Sequence, residues 1–256
     1  MAKTIQSIVK ASRILDLMLS ESSLMGITDF SRNLNMPKAT IQNMVSTLEQ
    51  IGYIEKDPMT MKYRLGPVLF QMGMHYANNM DLTILAKVWL EKLCTEYNES
   101  TRAGIMMGEK IIIVMEIDPD NSYIAFPGPG TVIPAHTSAI GKILLAYMPE
   151  KRQNRIIDNS SFIPLTDKSI TSAKALKADL AKVKNSGIAF DKEESLTGLT
   201  CVAGPVFNHK NECIASISLS GNTERIESRL TEIINAVKYV SHRVSEQMGC
   251  RNTRLT

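Results

Sequence analysis

The chain has 256 residues, 44% of them hydrophobic and 21% charged, enough apolar material for a sizeable core, which excludes wholesale disorder. The formal net charge of +3 is compatible with nucleic-acid binding but does not demand it. No apolar run reaches the roughly 18 residues that a membrane helix needs, and the four cysteines are scattered with no C-x-x-C pair, so a reduced protein without a disulfide framework is expected.

The N-terminal segment MAKTIQSIVKASRILDLML lacks a charged-then-apolar-then-cleavage order, and a cytoplasmic protein without membrane contact is expected. From Ser7 to Leu19, Ile8, Val9, Ile14, Leu15, Met18 and Leu19 recur at helical spacing. After a polar break, Ile27, Phe30 and Leu34 predict a second, short helix with Thr28 as its N-cap. Asn35-Met36-Pro37 reads as a turn, and proline suits the start of the helix that follows. That third helix puts Ile41, Met44, Val45, Leu48 and Ile51 on one face and ends at Gly52. YIEK and KYRL then flank Asp57-Pro58-Met59-Thr60-Met61, the pattern of a short hairpin.

The apolar, methionine-rich stretch from Gly66 to about Met80 predicts a connecting helix, and Asp81 to Tyr97 a further strong one. The period then shortens: IIIVMEI (Ile111 to Ile117) and SYIAF (Ser122 to Phe126) read as strands. Helices are expected over Ser138 to Met148, Glu150 to Asp158 and Ser172 to Asn185. GIAFDKE, TCVAGPVF and CIASISLSG read as strands, with a hairpin turn at His209-Lys210-Asn211-Glu212 and one long terminal helix from Glu224 to Met248. The irregular alternation implies an α+β fold with residues 1–66 as a helix-rich head, 67–80 as a linker helix and 81–256 as the larger domain.

Three helices followed by a hairpin is the layout of a winged helix-turn-helix. Its third helix must turn a polar face to the DNA major groove while its apolar face packs inside. Lys38, Thr40, Gln42, Asn43, Ser46 and Thr47 lie away from the apolar stripe. Gln and Asn can pair bidentately with adenine, and hydroxyls or Lys can hold phosphates. The hairpin adds Lys56, Lys62 and Arg64. Each residue alone is as common on a plain packing unit. The case rests on their order and not on net charge, because the first 66 residues carry eight basic against six acidic side chains.

The stretch TDFSRNLNMPKATIQNMVSTLEQIGYIEKDPMTMKYRLG, with its PKAT, TLEQIGYIEKDP and YRLG motifs, resembles the DNA-binding domain of the IclR family of bacterial transcriptional regulators. IPAHTSAIGKILLAYMP and GIAFDKEESLTGLTCVAGPVFNHKNECIASISLSG are similar to that family's effector domain, so the resemblance spans nearly the whole chain. It implies a C-terminal GAF/profilin-like effector-binding domain, double-stranded operator DNA and a small organic acid as partners, and a homodimer or homotetramer. The family often has His and Arg where this chain has Gln42 and Asn43, so operator contacts are not carried over at those two positions.

Thr137-Ser138-Ala139-Ile140-Gly141 opens a helix, where free backbone N–H groups favour an anion. Ser218 and Ser220, two apart on a strand, face one side. The resemblance implies a pocket lined by Asp191, Cys201, Ser218 and Ser220, a carboxylate held by the backbone around Ala139 and Ile140, and a wall shaped by Leu199, Ile124 and Phe126. HTSAIGKI fails as a phosphate-binding loop, because His136 replaces the first Gly and Ile143 the magnesium-binding hydroxyl. No G-x-S-x-G elbow is present. His136, Asp191 and Cys201 are zinc-ligand types without paired spacing, so neither a metal, a cofactor nor a catalytic residue is expected. A small-carboxylate enzyme and a ligand-sensing module whose winged helix binds protein stand as alternatives.

Overall fold

The computed structural model describes residues 4–21, 23–78, 81–120 and 128–250. Two compact units divide the chain, Met1–Asn78 and Asn79–Thr256. The strand expected over Ser122 to Phe126, with the wall residues Ile124 and Phe126, lies outside the described residues.

The first unit is built from α1 (Gln6–Ser20), α2 (Ile27–Leu34), α3 (Lys38–Gln50), the antiparallel strands β1 (Ile54–Lys56) and β2 (Tyr63–Leu65), and α4 (Pro67–Asn78). Phe30, Ile14, Ile41, Val45 and Ile54 are buried at its centre. The start of α2 differs from the expectation. Gly26 and not Thr28 is the N-cap, and the Asp29 carboxylate accepts the Gly26 N–H at 2.9 Å. A carboxylate at the third helical position does from within the helix what a capping hydroxyl does from outside. Asn35 ends α2 at φ 50°, a conformation that Asn tolerates better than most residues. Ser31 then donates to the Met36 carbonyl at 2.7 Å, fixing the turn into α3. In the hairpin, Asp57 accepts from the Met59 and Thr60 N–H groups and the Thr60 hydroxyl. Met25 pairs with Tyr63 through two backbone hydrogen bonds, so the wing is tied to the segment before α2.

The second unit begins with α5 (Asp81–Tyr97) and holds one antiparallel sheet of six strands in the order β5-β4-β3-β8-β7-β6. These are β3 (Ser100–Met107), β4 (Lys110–Ile117), β5 (Val132–Ile133), β6 (Ala189–Lys192), β7 (Leu199–Phe207) and β8 (Cys213–Asn222). α6 (Ala139–Tyr147) packs on one face, backed by α8 (Ala173–Ser186), while α7 (Glu150–Asp158) follows α6. On the other face α5 and the terminal α10 (Leu230–Gln247) cover Val202, Ile217 and Leu219. Pro205 is admitted into β7 because pairing with β6 ends at Ala203, leaving that side of the strand without a ladder to break.

Two further differences from the sequence reading stand out. β3, which lies between β4 and β8, was not foreseen. The terminal helix is two, α9 (Thr223–Ser228) and α10, because Arg229 leaves helical geometry at φ −122°, ψ 23°.

Phe30 is fully buried among α1, α3 and the hairpin. Phe30→Ala is expected to destabilise the first unit by about 3–5 kcal/mol, read as a lower denaturant midpoint of its helical signal. A midpoint unchanged from wild type would remove Phe30 from the centre of that core.

Candidate functional site

Residues expected to meet DNA occupy two regions of the first unit. Lys38 and Gln42, four apart on α3, are exposed on one flank. Thr40, Asn43 and Thr47 do not share it. They border a shallow groove with Ser7, Ile8 and Ala11 of α1, because 100° per residue carries them round the helix from Lys38. The Thr47 hydroxyl donates to the Asn43 carbonyl of its own helix. On the hairpin, Lys62 is exposed and Arg64 pairs with Glu55 directly across the ladder at 2.5 Å.

The second unit contains a cavity of about 330 Å³ between α6 and its sheet face. All seven residues expected there, Ala139, Ile140, Asp191, Leu199, Cys201, Ser218 and Ser220, line it. Register explains why. Asp191 lies opposite Cys201, and Cys201 opposite Ser220, across β6, β7 and β8. A second row runs Ala203, Ser218, Arg102, Glu116 across β7, β8, β3 and β4. Alternation sends all of these side chains to the same face.

α6 begins directly over this face. A Cβ on Gly104 of β3 would come within 2.7 Å of Ile140, and one on Gly141 within 2.6 Å of the Ala135 backbone, so both glycines permit the close approach. The Ser138 hydroxyl caps the helix, accepting the Gly141 N–H at 3.1 Å and donating to the Pro134 carbonyl at 2.7 Å. The N–H groups of the first helical residues have no intrahelical acceptor, and they belong to Ala139 and Ile140 on the cavity wall. Beside them Thr137 is fully buried and lines the cavity, and its Oγ1 has no hydrogen-bond partner among the described residues.

Asp191 is 1% exposed. Its carboxylate accepts the Glu194 N–H at 2.7 Å, the Ser195 N–H at 3.2 Å and the Ser195 hydroxyl, folding the loop that brings Ser195 and Leu196 to the cavity. Burial raises its carboxyl above the ordinary value, against those hydrogen bonds and the nearby Lys142 charge. Burial likewise pushes the Cys201 thiol far up, so it is a protonated neighbour of Asp191 and not a nucleophile. His136 packs on Phe162 with its Nε2 3.3 Å from the Ile163 carbonyl. Among the described residues no group of three His, Cys, Asp or Glu could hold a metal.

Two charged residues were missed by the sequence reading. Lys142 is 1% exposed and donates to Glu194 at 2.6 Å and the Phe190 carbonyl at 2.9 Å, with Asp179 at 3.0 Å. Arg102 lines the cavity and pairs with Glu116 through Nε at 2.9 Å and Nη2 at 2.8 Å. Lys142 stands in the GK dipeptide, whose sequence points to no ion-pair partner, and Arg102 sits in β3, which carries no strand pattern in the sequence.

A DNA-reading head and a ligand-sized cavity in separate units of one chain define a transcription regulator that carries its own sensor. Residues 7–58 match the IclR helix-turn-helix domain and residues 74–246 the bacterial transcriptional regulator IclR C-terminal domain. The chain belongs to the IclR family of DNA-binding transcriptional regulators. It is 34% identical over 223 residues to the HTH-type transcriptional regulator XynR of Escherichia coli (strain K12), covering 87% of this chain and 88% of that protein. It is 30% identical over 247 residues to KdgR of the same strain, covering 96% and 94%. The crystal structure of an IclR homolog complexed with 4-hydroxybenzoate, from Microbacterium hydrocarbonoxydans, shares the fold with a TM-score of 0.80 at 16% identity, over 94% of this chain and 98% of that one. No described helix is long and apolar enough to cross a membrane.

The raised Asp191 carboxyl has a thermodynamic signature. The native state keeps this proton at pH values where the unfolded chain has lost it, so stability from the protonated form is present at low pH and is lost as pH rises through the native pKa. Lowering pH from neutral towards about 4, the ordinary carboxyl range, is therefore expected to shift the stability difference between wild type and Asp191→Asn in favour of wild type. Parallel pH profiles in thermal melts would show that this carboxyl titrates ordinarily.

Proposed function

We propose that a small organic acid binds in the cavity with its carboxylate at the start of α6 and that its occupancy controls operator binding. The observation that carries this reading is the buried Thr137 hydroxyl, without a partner among the described residues, beside the open N–H groups of Ala139 and Ile140. An unmet buried donor costs about 1–3 kcal/mol, and an anion meets it together with the helix dipole. Asp191, Cys201, Ser218 and Ser220 then orient the remainder of the ligand and Leu199 closes the apolar side. A cavity of about 330 Å³ lies at the small end of ligand pockets. The homolog complexed with 4-hydroxybenzoate supports a carboxylate ligand. The domain acts by binding and not by catalysis, in keeping with relatives named as regulators.

On the DNA side, Lys38, Lys62 and Arg64 hold phosphates and Gln42 reads base edges from the exposed flank of α3, while Asn43, Thr40 and Thr47 meet the DNA from the α1 side of the helix. Residues 67–80 link the head to the sensor, residues 81–256. The exposed Phe70, Met72 and Met74 of α4 suit a contact between protomers, and two heads read two half-sites. The ligand acts by binding one arrangement of the heads better than another.

A thermal-shift screen of the full chain against small carboxylates tests the first part. At a hundredfold excess over Kd a ligand stabilises by about 2.7 kcal/mol, and Ser218→Ala or Asp191→Asn is expected to weaken the hit by about 1.5–3 kcal/mol. Stabilisation undiminished in both variants would take these residues out of the pocket. For the head, Lys38→Ala is expected to weaken binding to every DNA sequence and lower the salt slope by about one, whereas Gln42→Ala shifts preference among sequences. Selection from a random-sequence DNA pool at several salt concentrations distinguishes the two, and the reverse pattern would overturn these roles.

A further inference from the structure

The loop after β6 brings Ser195 to the cavity wall, beside Asp191 and Leu196. Its hydroxyl donates to Asp191 Oδ2, so its one proton is spent inside the protein. The same carboxylate accepts the Glu194 N–H at 2.7 Å and the Ser195 N–H at 3.2 Å on Oδ1, and the Cys201 thiol lies 3.8 Å from Oδ2. An ionised carboxylate offers about four acceptor sites, and here two N–H groups, a hydroxyl and a thiol are aimed at them. Ser195 Oγ, with its hydrogen turned towards Asp191, therefore offers the cavity lone pairs and no donor.

The loop holds this arrangement in place. The Thr166 hydroxyl donates to the Glu193 carbonyl at 2.6 Å, the Ser169 hydroxyl to the Glu194 carbonyl at 2.6 Å, and Lys142 to the Glu194 carboxylate at 2.6 Å. Ser195 thus stays within reach of Asp191, and a hydrogen bond to an ionised acceptor is stronger than one to a neutral ligand oxygen. The start of α6 has the opposite character. There the unpartnered Thr137 hydroxyl and the open N–H groups of Ala139 and Ile140 are donors. One side of the cavity gives hydrogen bonds and the Ser195 side takes them. A ligand carbonyl that reached Ser195 would leave water to face lone pairs, and a buried acceptor left unmet is costly. An alcohol at the same carbon donates to Ser195 Oγ and keeps its bond. The Ser218 hydroxyl, also on the wall, can turn either way and does not separate the two.

Resting on the acid-binding reading above, we infer that Ser195, its proton held inward by Asp191, is a specificity-determining residue that makes the cavity take the hydroxy form of an acid in preference to the oxo form of the same skeleton. Calorimetry on the full chain at neutral pH with matched alcohol and ketone probes tests this: lactate and pyruvate; 4-hydroxypentanoate and 4-oxopentanoate; 4-(1-hydroxyethyl)benzoate and 4-acetylbenzoate. In at least one pair the alcohol is expected to bind roughly tenfold tighter than the ketone, the effect of one buried acceptor left without a donor. Ser195→Ala removes the lone pairs and is expected to level that pair, with the ketone binding about as it does to wild type. In Asp191→Asn the amide oxygen stays with the two N–H groups, so the amide nitrogen replaces Oδ2 and donates to Ser195 Oγ. The hydroxyl hydrogen then turns to the cavity, and the ketone is expected to bind tighter than the alcohol. A serine that only braced the loop would weaken both members together and invert nothing. Ketones bound as tightly as alcohols by wild type in every pair, or an alcohol preference that survives in either variant, overturns the inference and leaves the acid-binding reading standing. If no probe binds wild type, the acid-binding reading falls and this inference with it.

Discussion

Lys142 carries its ammonium into the interior of the second unit, where it meets Glu194 from the loop after β6, Asp179 from α8 and the carbonyl of Phe190 in β6. An unpaired buried ammonium would be prohibitive, and losing one member of such a cluster strands the others. The cluster therefore fixes where α6 stands relative to α8 and β6. It also holds the loop that Asp191 grips from its other side through the Glu194 and Ser195 N–H groups. Both cavity walls, the start of α6 and the segment bearing Ser195 and Leu196, are positioned by this one charge. Burial raises the Glu194 carboxyl, opposed chiefly by Lys142, so desolvation outweighs the attraction of the ion pair.

The first unit solves a different problem with smaller means. A short α2 and a three-residue hairpin would be marginal alone. Asp29 caps α2, Asn35 turns the chain, and the Met25–Tyr63 bridge joins the wing to the segment ahead of α2. These local devices let nine buried side chains hold the unit and leave the polar surface of α3 open to a partner. The sensor is preorganised by buried charge, whereas the head is preorganised by turn chemistry.

Elements with a strong period were legible from sequence. α3, α5, α8 and the β7–β8 hairpin were placed to within a residue or two because apolar spacing, joined in α3 by the Gly52 stop, is regular there. β3 was not legible: STRAGIMM has Arg102 and Gly104 where a strand is expected to show branched residues, since one faces a cavity and the other makes room for Ile140. The break at Arg229 was hidden because the apolar pattern continues across it, and the Asn222 cap that starts the shorter α9 lies at the end of a strand. The pocket residues were legible through family motifs; Arg102 lies outside every motif, and only strand register puts it next to Ser218. Lys142 was visible but had no reading until α8 supplied Asp179.

The Ile140 side chain lies so close to Gly104 that β3 has no room for a side chain at that position. The mouth is otherwise constructed: Val132, Leu165 and Leu196 line it while remaining 46%, 51% and 48% exposed, and partly solvated positions of this kind accept substitution at little cost to folding. Under the acid-binding role proposed above, retuning this regulator for a bulkier ligand is therefore a matter of trimming its rim, with the polar end left unchanged.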